Sequence, residues 1–146
     1  MKVYLDTCSL QRPLDSRTQI RIGLEAEAIM GIINLCEDGT LELVSSDVLL
    51  FESRRNPWAE RRAYALAVLD KAAVIVRVNE EIQRRANELQ RQGLKPLDAL
   101  HLASAEAGEV DCFCTTDDRL LARGKVLAHT GIRVVSPTEL IQEINR

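Results

Sequence analysis

Aromatic residues are scarce in this chain: two Phe, two Tyr and one Trp make up 3% of 146 positions. A core with so few rings must be built from Leu, Ile, Val and Ala, a palette that suits a helix-rich α/β protein. No apolar run is long enough to span a bilayer. The opening Met1-Lys2-Val3-Tyr4-Leu5-Asp6 holds no signal-peptide core, so a cytoplasmic protein is expected. The four cysteines, Cys8, Cys36, Cys112 and Cys114, show no C-x-x-C spacing, and the two histidines, His101 and His129, stand at no ligand spacing. A zinc site is therefore disfavoured and free thiols are expected. Repeats, low-complexity stretches and linkers are also missing, so residues 1–146 are expected to form a single domain. Nor is there an excess of positive charge. With a net charge of −3, any nucleic acid has to be drawn by a local patch rather than by the whole field.

What is present is an alternation of strand-like and helix-like segments. Short β-type runs stand at Lys2–Leu5, Leu41–Val44, Ala73–Val78, Asp111–Thr115 and Ile132–Val135. Apolar residues at helical spacing (Ile22, Ala26, Ile29, Ile33, Cys36) predict a helix from about Thr18 to Cys36, closed by Asp38-Gly39. Ser45, Ser46 and Asp47 are candidate caps for a helix through Glu52 and Arg54. Further helices are predicted over Trp58–Asp70, Asn79–Gln92 with a stop at Gly93, and Leu97–Ala107, opened by Pro96 and closed by Gly108. Another starts at Asp117 or Asp118 and runs to Leu127, and Ser136-Pro137 caps a terminal one. Five strands separated by helices imply an α/β fold with a mostly parallel sheet covered on both faces.

Four acids, Asp6, Glu52, Asp98 and Asp117, fall where a strand or turn hands over to a helix. In an open parallel sheet, ligands bind beyond the carboxyl ends of the strands. Acids gathered there repel one another unless a cation or shared protons compensate them, and Mg²⁺ takes oxygen donors of this kind. The spacing leaves Asp117 and Asp118 equivalent as the fourth acid. A basic rim is available from Arg54, Arg55, Arg61 and Arg62, then Arg84, Arg85, Arg91 and Lys95. Taken singly, each reads as a solvated helix face balanced by Glu60, Glu80, Glu81 and Glu88.

Leu5-Asp6-Thr7, Phe51-Glu52, Pro96-Leu97-Asp98-Ala99-Leu100-His101-Leu102-Ala103 and Thr115-Thr116-Asp117, in that order, resemble the successive motifs of the PIN domain. That family includes the VapC-like toxin ribonucleases of toxin–antitoxin pairs. The resemblance implies a three-layer α/β/α sandwich with a central five-stranded parallel sheet in the order 3-2-1-4-5. It also implies Mg²⁺- or Mn²⁺-dependent hydrolysis of RNA phosphodiesters. Asp6, Glu52 and Asp98 match the acids of the family and Asp117 its more variable fourth acid, with Thr7 and Thr115 at supporting polar positions. A homodimer and a small antitoxin partner are implied as well. The loop Cys8-Ser9-Leu10-Gln11-Arg12-Pro13 is more polar than the toxins' apolar stretch, which points to a free-standing subfamily.

In this reading Asp6, Asp98 and Asp117 hold metal, and Glu52 binds it through water or positions the attacking water. Cys8 is a bystander, and His101, one turn from Asp98, is a satisfied helix histidine. A dehalogenase-like phosphotransferase needs Asp-x-Asp where this chain has Asp6-Thr7-Cys8. A receiver needs an acid after the third strand, where Val76-Arg77-Val78-Asn79 stands. The remaining alternative is a non-catalytic PIN-fold module that binds RNA or protein.

Overall fold

The structure is a computed structural model that describes residues 1–127 and 131–145. His129 lies outside the described residues. Five strands, β1 (Lys2–Leu5), β2 (Glu42–Ser46), β3 (Val74–Val76), β4 (Cys112–Cys114) and β5 (Arg133–Val135), form one sheet in the order β3-β2-β1-β4-β5. Every pairing is parallel, with Val3 facing Leu43 on one side and Cys112 on the other. Val3, Tyr4 and Leu5 are fully buried, as the central strand of a sheet covered on both faces must be. Each aliphatic side chain so buried contributes about 1.5–3 kcal/mol relative to exposure. This is the three-layer α/β/α arrangement and the strand order expected for a PIN-like chain.

The helices follow from their sequences. In α5 (Glu80–Arg91), only Ile82, Ala86 and Leu89 are buried, a single apolar stripe on an otherwise charged helix. It ends in a Schellman turn: the Leu94 N–H donates to the Leu89 carbonyl (3.2 Å) and the Gly93 N–H to Gln90 (3.1 Å). Gly93 takes φ +108°, which a side chain would resist. Pro96 then opens α6 (Pro96–Ala107), which packs against α5 and buries Ala99, His101, Leu102 and Ala103. In α8 (Pro137–Ile144), Ser136 and Glu139 form a capping box.

Several boundaries depart from expectation. The polar segment expected as a loop after the first acid is helical, α1 (Thr7–Gln11) continuing into a 3-10 turn at Arg12–Leu14. Ser9, Leu10 and Gln11 are buried there. Burial of this face against the rest of the fold, rather than local periodicity, holds the segment. The long helix α2 spans Ile20–Glu37 rather than starting at Thr18. Of the three candidate caps of α3 (Asp47–Arg54), Ser46 takes the role, its Oγ accepting from the Leu49 N–H. The helix α4 (Ala59–Leu69) begins after Trp58. Gly108 closes α6 at an ordinary φ of −79°, and the left-handed residue is Glu109. What Gly108 provides is clearance, since a Cβ there would approach Val44 and Val76 to 3.0 Å.

Candidate active site

The carboxyl end of the sheet gathers all four acids. Asp6 leaves β1, donates its N–H to the Cys114 carbonyl of β4 (3.1 Å), and caps α1. Its Oδ1 accepts from the Ser9 N–H (3.0 Å) and the Cys8 thiol (3.1 Å), and the residue is only 4% exposed. Asp117 caps α7 (Asp118–Val126), with Oδ1 accepting from the N–H groups of Arg119 (2.9 Å) and Leu120 (3.1 Å). Its own N–H donates to Thr115 Oγ1 (3.0 Å). Glu52, on α3, accepts at Oε1 from Thr7 Oγ1 (2.7 Å) and from His101 Nε2. Asp98 sits in the first turn of α6 and makes no hydrogen bond among the described residues.

These side chains line one cavity of about 300 Å³ together with Thr7, Cys8, Gln11 and His101. Asp118 is elsewhere, held through both oxygens by Arg21 at 2.7 and 2.9 Å. The fold thus separates two acids that the sequence left equivalent. Asp6, Glu52 and Asp117 share a feature: each spends one oxygen on hydrogen bonds that fix the side chain. Among the described residues the other oxygen has no partner, and in Asp98 both lack one.

The anchoring of Glu52 runs deep into the core. His101 Nδ1 lies 2.7 Å from Tyr4 Oη, which lies 2.7 Å from Ser46 Oγ. An ionised Glu52 can only accept, so Nε2 carries a hydrogen; in a neutral ring Nδ1 then accepts from Tyr4, whose oxygen accepts from Ser46. Burial pushes the Tyr4 phenol well above its usual value, which keeps it a donor. Sequence reading missed Tyr4 and Ser46 in this role. No local signal marks them, because the contacts span β1, β2 and α6.

The two half-buried acids respond in opposite ways. Burial, and then the charges of Asp117 and Asp6, raise the Asp98 carboxyl above its usual value. Burial also pushes Glu52 up, but His101 and Thr7 outweigh it and hold that carboxyl below its usual value. Burial and Asp6 drive the Cys8 thiol up to about 12, so it remains a poor nucleophile.

Hard oxygen donors on one cavity, with spare oxygens and mutual repulsion, suit Mg²⁺ or Mn²⁺. Among the described residues, no three His, Cys, Asp or Glu side chains stand close enough to form a ready cage. Mg²⁺ asks for no such cage, since it usually takes one or two carboxylates directly and keeps its waters.

Part of the expected basic rim is otherwise engaged. Arg61 bonds Asp15 (3.0 Å) and the Leu14 carbonyl, Arg62 the Asn56 carbonyl, and Arg85 both Glu106 and Glu88. Arg55 lies over the Phe51 ring.

The family model for the PIN domain matches residues 3–126. The chain belongs to the PIN domain family. No curated protein gives a significant match. Solved structures share the PIN fold at low identity. FitAcB from Neisseria gonorrhoeae is 14% identical with a TM-score of 0.59, over 93% of this chain and 98% of that one. VapC20 from Mycobacterium tuberculosis, a sarcin-ricin loop cleaving toxin, is 16% identical with a TM-score of 0.57, over 84% and 95%. VapBC2 from Rickettsia felis, bound to a DNA fragment from its promoter, is 12% identical with a TM-score of 0.60, over 93% and 98%.

Proposed function

We propose that this PIN domain protein is an Mg²⁺- or Mn²⁺-dependent endoribonuclease. The observation that carries the reading is the convergence of Asp6, Glu52, Asp98 and Asp117 on one cavity, each with at least one oxygen free of partners among the described residues. Asp6, Asp98 and Asp117 would hold the ion, and Glu52 would hold a water with its free oxygen. A bound Mg²⁺ or Mn²⁺ supplies a deprotonated water nucleophile and Lewis acidity at the leaving 3′ oxygen. Thr7 and His101 keep Glu52 ionised and aimed, and Tyr4 fixes the ring that does so. Asp98, raised by burial and then by its acidic neighbours, is the group whose repulsion a cation would relieve.

RNA is favoured over DNA by the fold shared with a toxin that cleaves the sarcin-ricin loop. The VapBC assemblies of the same fold support a toxin role with a small antitoxin, whose basic side chain would fill the acidic cavity. A homodimer is supported by an apolar hollow lined by Val48, Phe51, Val78, Leu97 and Leu100, in which Phe51 and Leu97 are exposed. Residues 1–146 act as one domain in this reading. Among the described residues no helix is long and apolar enough to cross a membrane, which accords with a cytoplasmic site of action.

The deciding experiment is cleavage of single-stranded and structured RNAs with Mn²⁺ or Mg²⁺, set beside EDTA and Asp98→Asn controls. Cleavage that requires both metal and Asp98 is the expected result. Folded, metal-loaded protein that binds RNA without cutting any of it would replace the nuclease with a binding module.

A further inference from the structure

We propose that a second cavity, beyond Asp98 and Asp117, is a phosphate subsite that grips the backbone of a single polynucleotide strand next to the bond being cut. The proposal rests on the nuclease reading for its place in the reaction but not for its chemistry. The cavity measures about 390 Å³ and is lined by Lys95, Arg119 and Arg123 as well as by Asp98 and Asp117, so it shares a wall with the acidic cavity. A strand crossing that wall passes directly from carboxylates to cations.

The three cations stand apart from the arginines held in ion pairs. Arg12, Arg17, Arg21, Arg61, Arg77, Arg85 and Arg133 each pair with a carboxylate. Among the described residues, the side chains of Lys95, Arg119 and Arg123 are exposed and make no hydrogen bond or ion pair within 4 Å, although the Lys95 charge reaches Asp98. Arg119 and Arg123 are one turn apart on α7, a like-charged pair that weakens a helix unless an anion offsets it. Lys95 joins them from the residue before α6.

The position of Arg123 depends on the Schellman turn. Its Nε and Cζ lie where a Cβ on Gly93 would approach to 3.2 Å, so the bare backbone of the turn forms the floor beneath the guanidinium. The other lining residues are aliphatic, among them Leu94, Ala122 and Val126. None of the described residues lining this cavity offers an aromatic face for stacking, and cations recognise phosphate without reading bases. The grip is therefore indifferent to sequence and to the 2′-hydroxyl.

The test is fluorescence anisotropy of a short fluorescein-labelled oligouridylate and its DNA counterpart, in EDTA and across a KCl series. Wild type is expected to bind both. The Arg119→Gln/Arg123→Gln variant should bind about tenfold more weakly, with a salt slope smaller by about 1.4, from roughly 0.7 per phosphate neutralised on a single strand. Arg17→Gln, which removes one such charge from an ion pair with Glu27, should bind as wild type. Arg119→Glu, with its melting curve alongside, separates lost grip from lost fold. No binding by wild type, or an unchanged slope in the folded double variant, would overturn the subsite. So would displacement by inorganic phosphate as potent, per phosphate, as unlabelled oligonucleotide, because the ligand would then be a small anion. Charge-dependent binding without cleavage leaves the subsite standing and removes the nuclease; cleavage with charge-independent binding does the reverse.

Discussion

Glu52 and Asp98 are half-buried carboxyls on the same cavity, yet the fold treats them oppositely. Glu52 is tied through His101 and Tyr4 to Ser46, three elements deep, and its pKa lies below the usual value. Among the described residues the Asp98 carboxyl has no hydrogen bond to offset burial and its two acidic neighbours, and its pKa lies above. Comparable burial therefore does not decide charge; the partners do. One wall is built to stay ionised unaided, and the other stores a repulsion that a cation would release.

The largest effect separating the walls is expected in catalysis. Asp98→Asn should lower RNA cleavage by about 100-fold or more, the scale on which losing a site charge is felt. In EDTA the same variant should melt at a higher temperature than wild type, because it removes repulsion that only the cation needs. If it lowered both activity and melting temperature, the picture of an unanchored, strained wall would fail.

Next in size is the anchored wall. Tyr4→Phe leaves Ser46 Oγ and His101 Nδ1 short of a partner in a fully buried place, at a cost of about 1–3 kcal/mol in folding by denaturant titration. It should reduce cleavage less than Asp98→Asn, since Thr7 still holds Glu52. Where α7 packs against β5, Gly124→Ala should cost about 1–3 kcal/mol, because its Cβ would meet Val134 at 2.7 Å.

The pH dependence in EDTA sharpens the comparison further. Asp98 binds its proton more tightly in the folded state, so its contribution to stability is full below the ordinary value of 3.8 and is lost as pH rises through the raised one. Glu52 is the reverse: its contribution is present above the ordinary 4.5 and is lost as pH falls through the lowered value. Melting curves should show Asp98→Asn flattening the loss on the rising side and Glu52→Gln flattening the loss on the acid side. The smallest effect is chemical: Cys8, with its thiol at about 12, should resist iodoacetamide at neutral pH in the folded protein.

Much of the framework was legible locally. Pro96 opening α6, Gly93 ending α5 and Ser136 capping α8 are short-range chemistry, and they stand where the sequence placed them. Asp6, Asp98 and Asp117 were legible as strand- or turn-to-helix boundaries, and Asp6 and Asp117 meet because β1 and β4 are neighbours; Glu52, expected at such a boundary too, lies instead in the last turn of α3. What could not be read is non-local. The α1 helix owes its stability to burial that its polar sequence does not announce, and the Tyr4–His101 contact joins residues on different layers. Arg119 and Arg123 escaped notice because a cation's importance depends on whether an acid stands beside it, and pairing across the fold cannot be counted along the chain.

The bond from the Asp6 N–H to the Cys114 carbonyl has a consequence during synthesis. Asp6 is synthesised well before its neighbour strand β4 and the acid beyond it. A nascent or truncated chain that stops short of β4 holds three of the four acids and lacks the strand that sets the first of them in place. Topology alone thus keeps a partial product from assembling the four-acid cavity.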